Sequence, residues 1–152
     1  MSSGNTGKST DGPVTERFGY LLKVAQHALR TAMDEALRPT GITAPQYSVL
    51  ALIELEPGIS NAALARAAFV TAQSMQGIVA NLERDGLIVR NDDPGHGRIR
   101  RGDLTEMGRR ALAKANSAVA KIEETMLAGL AAKQRMELNR MLAHCAQNMQ
   151  AR

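Results

Sequence analysis

From Thr15 onward, apolar residues recur at steps of three and four. Phe18, Leu21, Leu22, Ala25, Leu29, Ala32, Met33, Ala36 and Leu37 share one side of a helix that "RPTG" stops. Thr43 opens a second helix, and Gln46, three residues on, completes a capping box. Val49, Leu50, Leu52 and Ile53 form its apolar face, and Pro57 and Gly58 end it. Ser60 caps a short third helix, "NAALARAAF". A tight connection through Val70 leads to Thr71, which caps "AQSMQGIVANLERD", and Gly86 terminates that fourth helix. In "LIVRNDDPGHGRIRRGDLT" the first four residues read as a half-buried strand, and Asn91 to Gly97 is dense in turn formers. Thr105 caps a long fifth helix whose first residue, Glu106, meets the positive end of the helix dipole. A last helix starts near Lys133. No internal repeat is present.

The third and fourth helices, with the second before them and a two-stranded hairpin directly after, describe a winged helix-turn-helix. The predicted fold is mainly α with a small β-hairpin, extended by helices at both ends. The domains expected are a disordered polar tail at 1–12, an N-terminal dimerisation helix at 13–40, the winged helix-turn-helix at 41–104 and C-terminal dimerisation helices at 105–152. In this arrangement the helix before the hairpin lies in the DNA major groove. Its inward stripe is Met75, Ile78, Val79 and Leu82, and its outer side offers Thr71, Ala72, Gln73, Ser74, Gln76 and Gly77. Short hydroxyl and amide side chains hydrogen-bond base edges, glutamine with adenine being the best match. A merely solvated face would carry Lys and Glu, yet here charge begins only at Glu83. Ser60 and Asn61, at the start of the preceding helix, join the DNA-contacting candidates. So do His96, Arg98, Arg100 and Arg101 in the hairpin, where only Ile99 is available to bury. Gly95 and Gly97 let the tip turn, and an arginine-bearing wing suits the neighbouring minor groove and its phosphates.

Composition agrees with this picture without deciding it. The 152 residues are 44% hydrophobic but only 3% aromatic, with no tryptophan, which favours close-packed helices over a β-sandwich. A net charge of +4 permits a polyanionic partner and proves none. A single cysteine, Cys145, rules out an internal disulfide and suits a reducing cytoplasm. No apolar run approaches a membrane span, and the N-terminus lacks the order of a signal peptide. A cytoplasmic protein is expected, without cofactor or metal.

The succession "SNAALARAAFVTAQSMQGIVANLERDGLIVRNDDPGHGRIRRGDLTEMGRRAL" resembles the MarR family (multiple antibiotic resistance regulators), and "DDP…R…LTEMG" is its most specific part. The resemblance runs from about Thr15 to the C-terminus. It implies a homodimer on a pseudo-palindromic operator, usually a repressor, often released by a small phenolic or aromatic ligand. It makes Thr71 through Gln76 the base-reading segment and Arg98 the wing arginine. Departures are His96, where an acidic residue commonly steadies that arginine, and Gly77, where a basic residue is frequent. Arg101 and Gly102 stand at positions usually apolar, so a short or frayed return strand is expected.

The end helices carry more apolar positions than a DNA head of this size can absorb. Leu21, Leu29, Val119, Met126, Leu138, Met141, Leu142 and Met149 are therefore expected at a homodimer interface. The resemblance places effectors between dimer helices and DNA head, which selects Tyr20, Val24, His27, Gln46 and Tyr47 as ligand candidates. An enzyme is disfavoured: His27, His96 and His144 lack a carboxylate or thiol partner at catalytic spacing, and no phosphate-binding glycine loop exists. The alternative that remains is a winged helix used only for protein–protein contact.

Overall fold

Side-chain oxygens start most of the helices. The computed structural model describes residues 12–92 and 100–151, and in it the Thr43 hydroxyl accepts the Gln46 N–H at 3.3 Å while Gln46 Oε1 accepts the Thr43 N–H at 2.9 Å. This reciprocal cap begins α2 (Ala44–Leu55). Ser60 caps α3 (Asn61–Ala67), Thr71 caps α4 (Ala72–Arg84) and Thr105 caps α5 (Glu106–Met126), each through the N–H three residues on. The first helix, α1 (Phe18–Leu37), follows a single 3-10 turn at Val14–Glu16 and ends in another at Arg38–Thr40, closed by Gly41 at φ 79°. The last, α6 (Ala132–Gln150), starts where Gln134 Oε1 accepts the Ala131 N–H at 2.8 Å.

Strands β1 (Ile88–Asp92) and β2 (Arg100–Leu104) form an antiparallel ladder with Ile88 opposite Leu104 and Asp92 opposite Arg100. Two expectations are corrected here. Asn91 and Asp92 extend the strand instead of opening the turn. The return strand is not frayed at Gly102, which is buried and whose carbonyl accepts the Gly58 N–H at 3.1 Å. That bond replaces the missing apolar side chain as an anchor.

The core gathers one stripe from each element. Leu37 comes from α1, Val49, Leu50 and Ile53 from α2, Leu64 from α3, Met75, Val79 and Leu82 from α4, and Leu112, Ala115 and Val119 from α5. Val119 is thus buried by its own chain and is withdrawn from the dimer face, because α1 and α2 already cover that side of α5. No polar or charged side chain is buried among the described residues. By contrast α6 buries none of its residues. Leu138 and Cys145 are half-buried, and Met141, Leu142 and Met149 are exposed. Leu21 and Met126 are exposed as well, and Leu29 is half-buried. Among the described residues no helix is long and apolar enough to cross a membrane.

A close contact lies where α4, the hairpin and α5 meet. The Thr105 hydroxyl donates to the Gly86 carbonyl at 2.6 Å and accepts the Gly108 N–H at 3.0 Å, and the Thr105 N–H reaches the Leu87 carbonyl at 3.1 Å. A Cβ on Gly108 would sit 1.9 Å from that same Leu87 oxygen, which is backbone and has no rotamer to escape into. Gly108→Ala is therefore expected to lower unfolding free energy by about 2–3 kcal/mol. Gly77→Ala, at an exposed helical site where the added Cβ meets nothing within 4 Å, should raise it by about 1 kcal/mol. Urea denaturation of the two variants against wild type measures both.

Candidate nucleic-acid interface

The turn between α3 and α4 is four residues long, Ala68 to Thr71, so α3 packs against α4 and leaves the far side of α4 open. Met75, Val79 and Leu82 point into the core at i, i+4, i+7 spacing. Thr71, Ala72, Gln73, Ser74, Gln76 and Gly77 are all exposed on the other side and first turn, as expected. Thr71 and Ser74 hold each other: the Thr71 hydroxyl accepts the Ser74 N–H at 3.1 Å and donates to the Ser74 hydroxyl at 2.9 Å. Gln73 and Gln76 make no hydrogen bond to any described residue, so both amides are available to a partner. No carboxylate occurs between Glu56 and Glu83. Ser60 and Asn61 are half-buried beside this face, and the Ser60 hydroxyl is committed to the α3 cap at 3.2 Å. His96 and Arg98 lie outside the described residues. Arg100 and Arg101 are placed in β2, and their side chains lie outside what is described.

A cavity of about 370 Å³ opens between α1, the start of α2, the α3–α4 turn and α4. Met33, Val70 and Ile78 supply apolar wall, and Gln26, Arg30 and Asp34 line it from successive turns of α1. Arg30 has no ion pair with a described residue. The five expected ligand residues do not line this cavity. Tyr20, Val24 and His27 are exposed and outside this lining, although His27 stands two turns before Asp34 on the same side of α1. Gln46 is used by the α2 cap, and Tyr47 turns toward α5, where its hydroxyl donates to Asn116 Oδ1 at 2.9 Å. The four-residue spacing of Gln26, Arg30 and Asp34 was the sequence signal for the cavity side of α1. It is a polar stripe, without the apolar and aromatic residues that mark a ligand wall in sequence.

Residues 40–99 match the family model described as MarR family. The chain is 36% identical over 136 residues to the transcriptional repressor Rv2887 of Mycobacterium tuberculosis, covering 90% of this chain and 95% of the relative. The chain belongs to the MarR family. That MarR relative has been solved with salicylic acid, at a TM-score of 0.71 with 89% of this chain and 97% of that one covered. It has also been solved with DNA, at 34% identity and a TM-score of 0.71, covering 89% and 98%. The transcriptional repressor CouR of Rhodococcus jostii matches in its complex with a 23-mer DNA duplex at 31% identity and a TM-score of 0.81, covering 91% of this chain and 99% of that one. MarR proteins are transcriptional regulators, which places the chain in a non-enzymatic family.

Tyr47 joins the DNA head to the helix that follows it. Burial is the main cause that raises its phenol above the ordinary value of 10.0, and the carboxylates of Glu123 and then Glu54 add to it. The folded state therefore holds this proton more tightly than the unfolded chain, so the contribution is complete below pH 10 and is lost as pH rises through the raised value. Tyr47→Phe should cost about 1 kcal/mol at neutral pH through the lost Asn116 bond. The stability gap to wild type should narrow above pH 10, which chemical denaturation at pH 7 and at pH 10.5 compares.

Proposed function

We propose that this chain is a homodimeric transcriptional repressor that reads a pseudo-palindromic operator with α4 and lets go of it when a small aromatic carboxylate enters the α1–α2–α4 cavity. The observation that carries the reading is the outer face of α4: two free amides, small neighbours and no carboxylate, on a helix held out by a short turn. Exposed apolar residues on α1 and α6 support the dimer, since a second copy buries them and brings two α4 helices onto one duplex. Arg98, Arg100 and Arg101 in the wing serve phosphate and the minor groove. A regulator of this kind acts in the cytoplasm, where its operator DNA lies.

For the ligand, Arg30 is the anchor. Its guanidinium binds a carboxylate in two-pronged fashion, an aromatic ring rests on Met33, Val70 and Ile78, and a phenolic hydroxyl donates to Asp34. The mycobacterial relative solved with salicylic acid supports this class of compound. Because the same cavity is walled by Ile78 of α4 and Val70 of the turn, an occupant bears directly on the helix that reads DNA.

Duplexes enriched from a random library by the wild-type dimer provide the test, read by fluorescence anisotropy. Gln73→Ala and Gln76→Ala should each reduce discrimination against altered duplexes by on the order of 1–3 kcal/mol at the position read, leaving the salt slope intact. Salicylate should release the wild-type complex, and Arg30→Gln should raise the concentration needed at least tenfold, about 1.4 kcal/mol. No enriched duplex at low salt would return the chain to a protein–protein module.

A further inference from the structure

Two helix ends in this structure use the same closure with different residues. At the end of α4 the Gly86 N–H reaches the Glu83 carbonyl at 3.1 Å and the Leu87 N–H reaches the Leu82 carbonyl at 2.9 Å. At the end of α3 the Phe69 N–H reaches the Arg66 carbonyl at 3.3 Å and the Val70 N–H reaches the Ala65 carbonyl at 3.1 Å. Both are Schellman closures, whose penultimate bonded residue must adopt left-handed backbone. Gly86 does so at φ 74°, where glycine is unstrained. Phe69 does so at φ 56°, and among the described residues it is the one residue other than glycine with positive φ. Its side chain is also 89% exposed, the most of any large apolar residue described. The fold gains neither conformational ease nor packing from this phenylalanine. A glycine would serve the turn better, so the ring acts on something outside the chain.

We infer that Phe69 is a DNA-contacting residue, pressing its ring against the apolar parts of the duplex, the deoxyribose faces and thymine methyl groups, at the edge of the groove that α4 enters. The inference rests on the reading of α4 as the recognition helix. Three observations select DNA. Phe69 lies two residues before the Thr71 cap, and the run Phe69, Thr71, Ala72, Gln73 is exposed with only Val70 turned partly inward. The ring therefore continues the reading surface. Ala68 and Val70 line the effector cavity and Phe69 does not, so the ring faces away from that cavity. The exposed guanidinium of Arg66, three residues before it, has no ion pair with a described residue, and the surrounding stretch carries no carboxylate. A polyanion meets attraction there, with an apolar contact set beside it. A second copy of the chain is the other candidate, and the experiment separates the two.

Phe69→Gly removes the ring and gives the left-handed site the residue suited to it. Relief of strain opposes the added freedom of the unfolded chain, so the unfolding midpoint should stay within about 2–4 °C of wild type or rise. Affinity for a library-enriched duplex should nevertheless fall on the order of tenfold, with the slope of log affinity against log salt unchanged, because no phosphate contact is lost. Phe69→Asn, which tolerates the same backbone but is polar, should lose as much. Duplexes carrying deoxyuridine for thymidine divide the contact: wild-type binding weakened by the missing methyl, with Phe69→Gly indifferent, assigns the methyl. Equal losses by the variant on both duplexes assign the sugar. Unchanged affinity of Phe69→Gly for a duplex that the wild type binds overturns the inference and leaves the recognition helix standing. So does full affinity of Phe69→Asn, or a Phe69→Gly chain that sediments as a monomer. If the wild type enriches no duplex, both readings fall together.

Discussion

The backbone of Leu87 is held from both sides. Its N–H closes the end of the recognition helix on Leu82, and its carbonyl accepts the N–H of Thr105 while Gly108 presses against it with no room for a methyl group. One hydroxyl, that of Thr105, links the last carbonyl of the α4 closure to the first turn of α5. The end of the reading helix, both ends of the hairpin and the start of the long C-terminal helix are thereby fixed in one small cluster. A change in the angle between α4 and α5 must break two short hydrogen bonds or open the glycine contact. Any protein that holds two copies of α5 together also sets where its two recognition helices stand.

Opposite that rigid joint lies a looser one. The middle of α4, at Ile78, and the turn before it border the cavity on α1, where volume is left unfilled and Arg30 makes no ion pair with a described residue. The helix is thus pinned at its C-terminal end and bordered by unfilled volume at its middle. Under the function proposed above, an occupant of the cavity tilts the other end about that pivot, a mechanical basis for ligand control of DNA binding. The Tyr47–Asn116 bond reinforces the pivot side, tying α2 to α5.

Local chemistry was readable where it depends on short spacing. Threonine and serine caps, the glycine after α4 and the three-and-four stripes placed every helix to within a few residues, because those signals act through bonds three or four residues apart. The outer face of α4 was equally legible, since an amphipathic helix declares both sides at once. What failed depended on partners distant in sequence. Val119 fitted a dimer stripe by spacing, yet α1 and α2 cover it. Gly102 read as a weak strand residue, yet Gly58 anchors it from 44 positions away. The cavity side of α1 was missed because which face of a helix borders a void is decided by how its neighbours cross, not by its own pattern. Phe69 read as the last residue of the third helix, yet α3 ends at Ala67 and its left-handed backbone sets Phe69 apart.

The central claim is that two α4 helices, each pinned at its C-terminal end, read one duplex from a symmetric dimer. Hydroxyl-radical footprinting of a library-enriched duplex, with the mass of the complex measured alongside, tests it most directly. Two chains per duplex and two equivalent protected patches on one face, with centres about 10 base pairs apart, are expected. A single protected patch with one chain bound would contradict the claim.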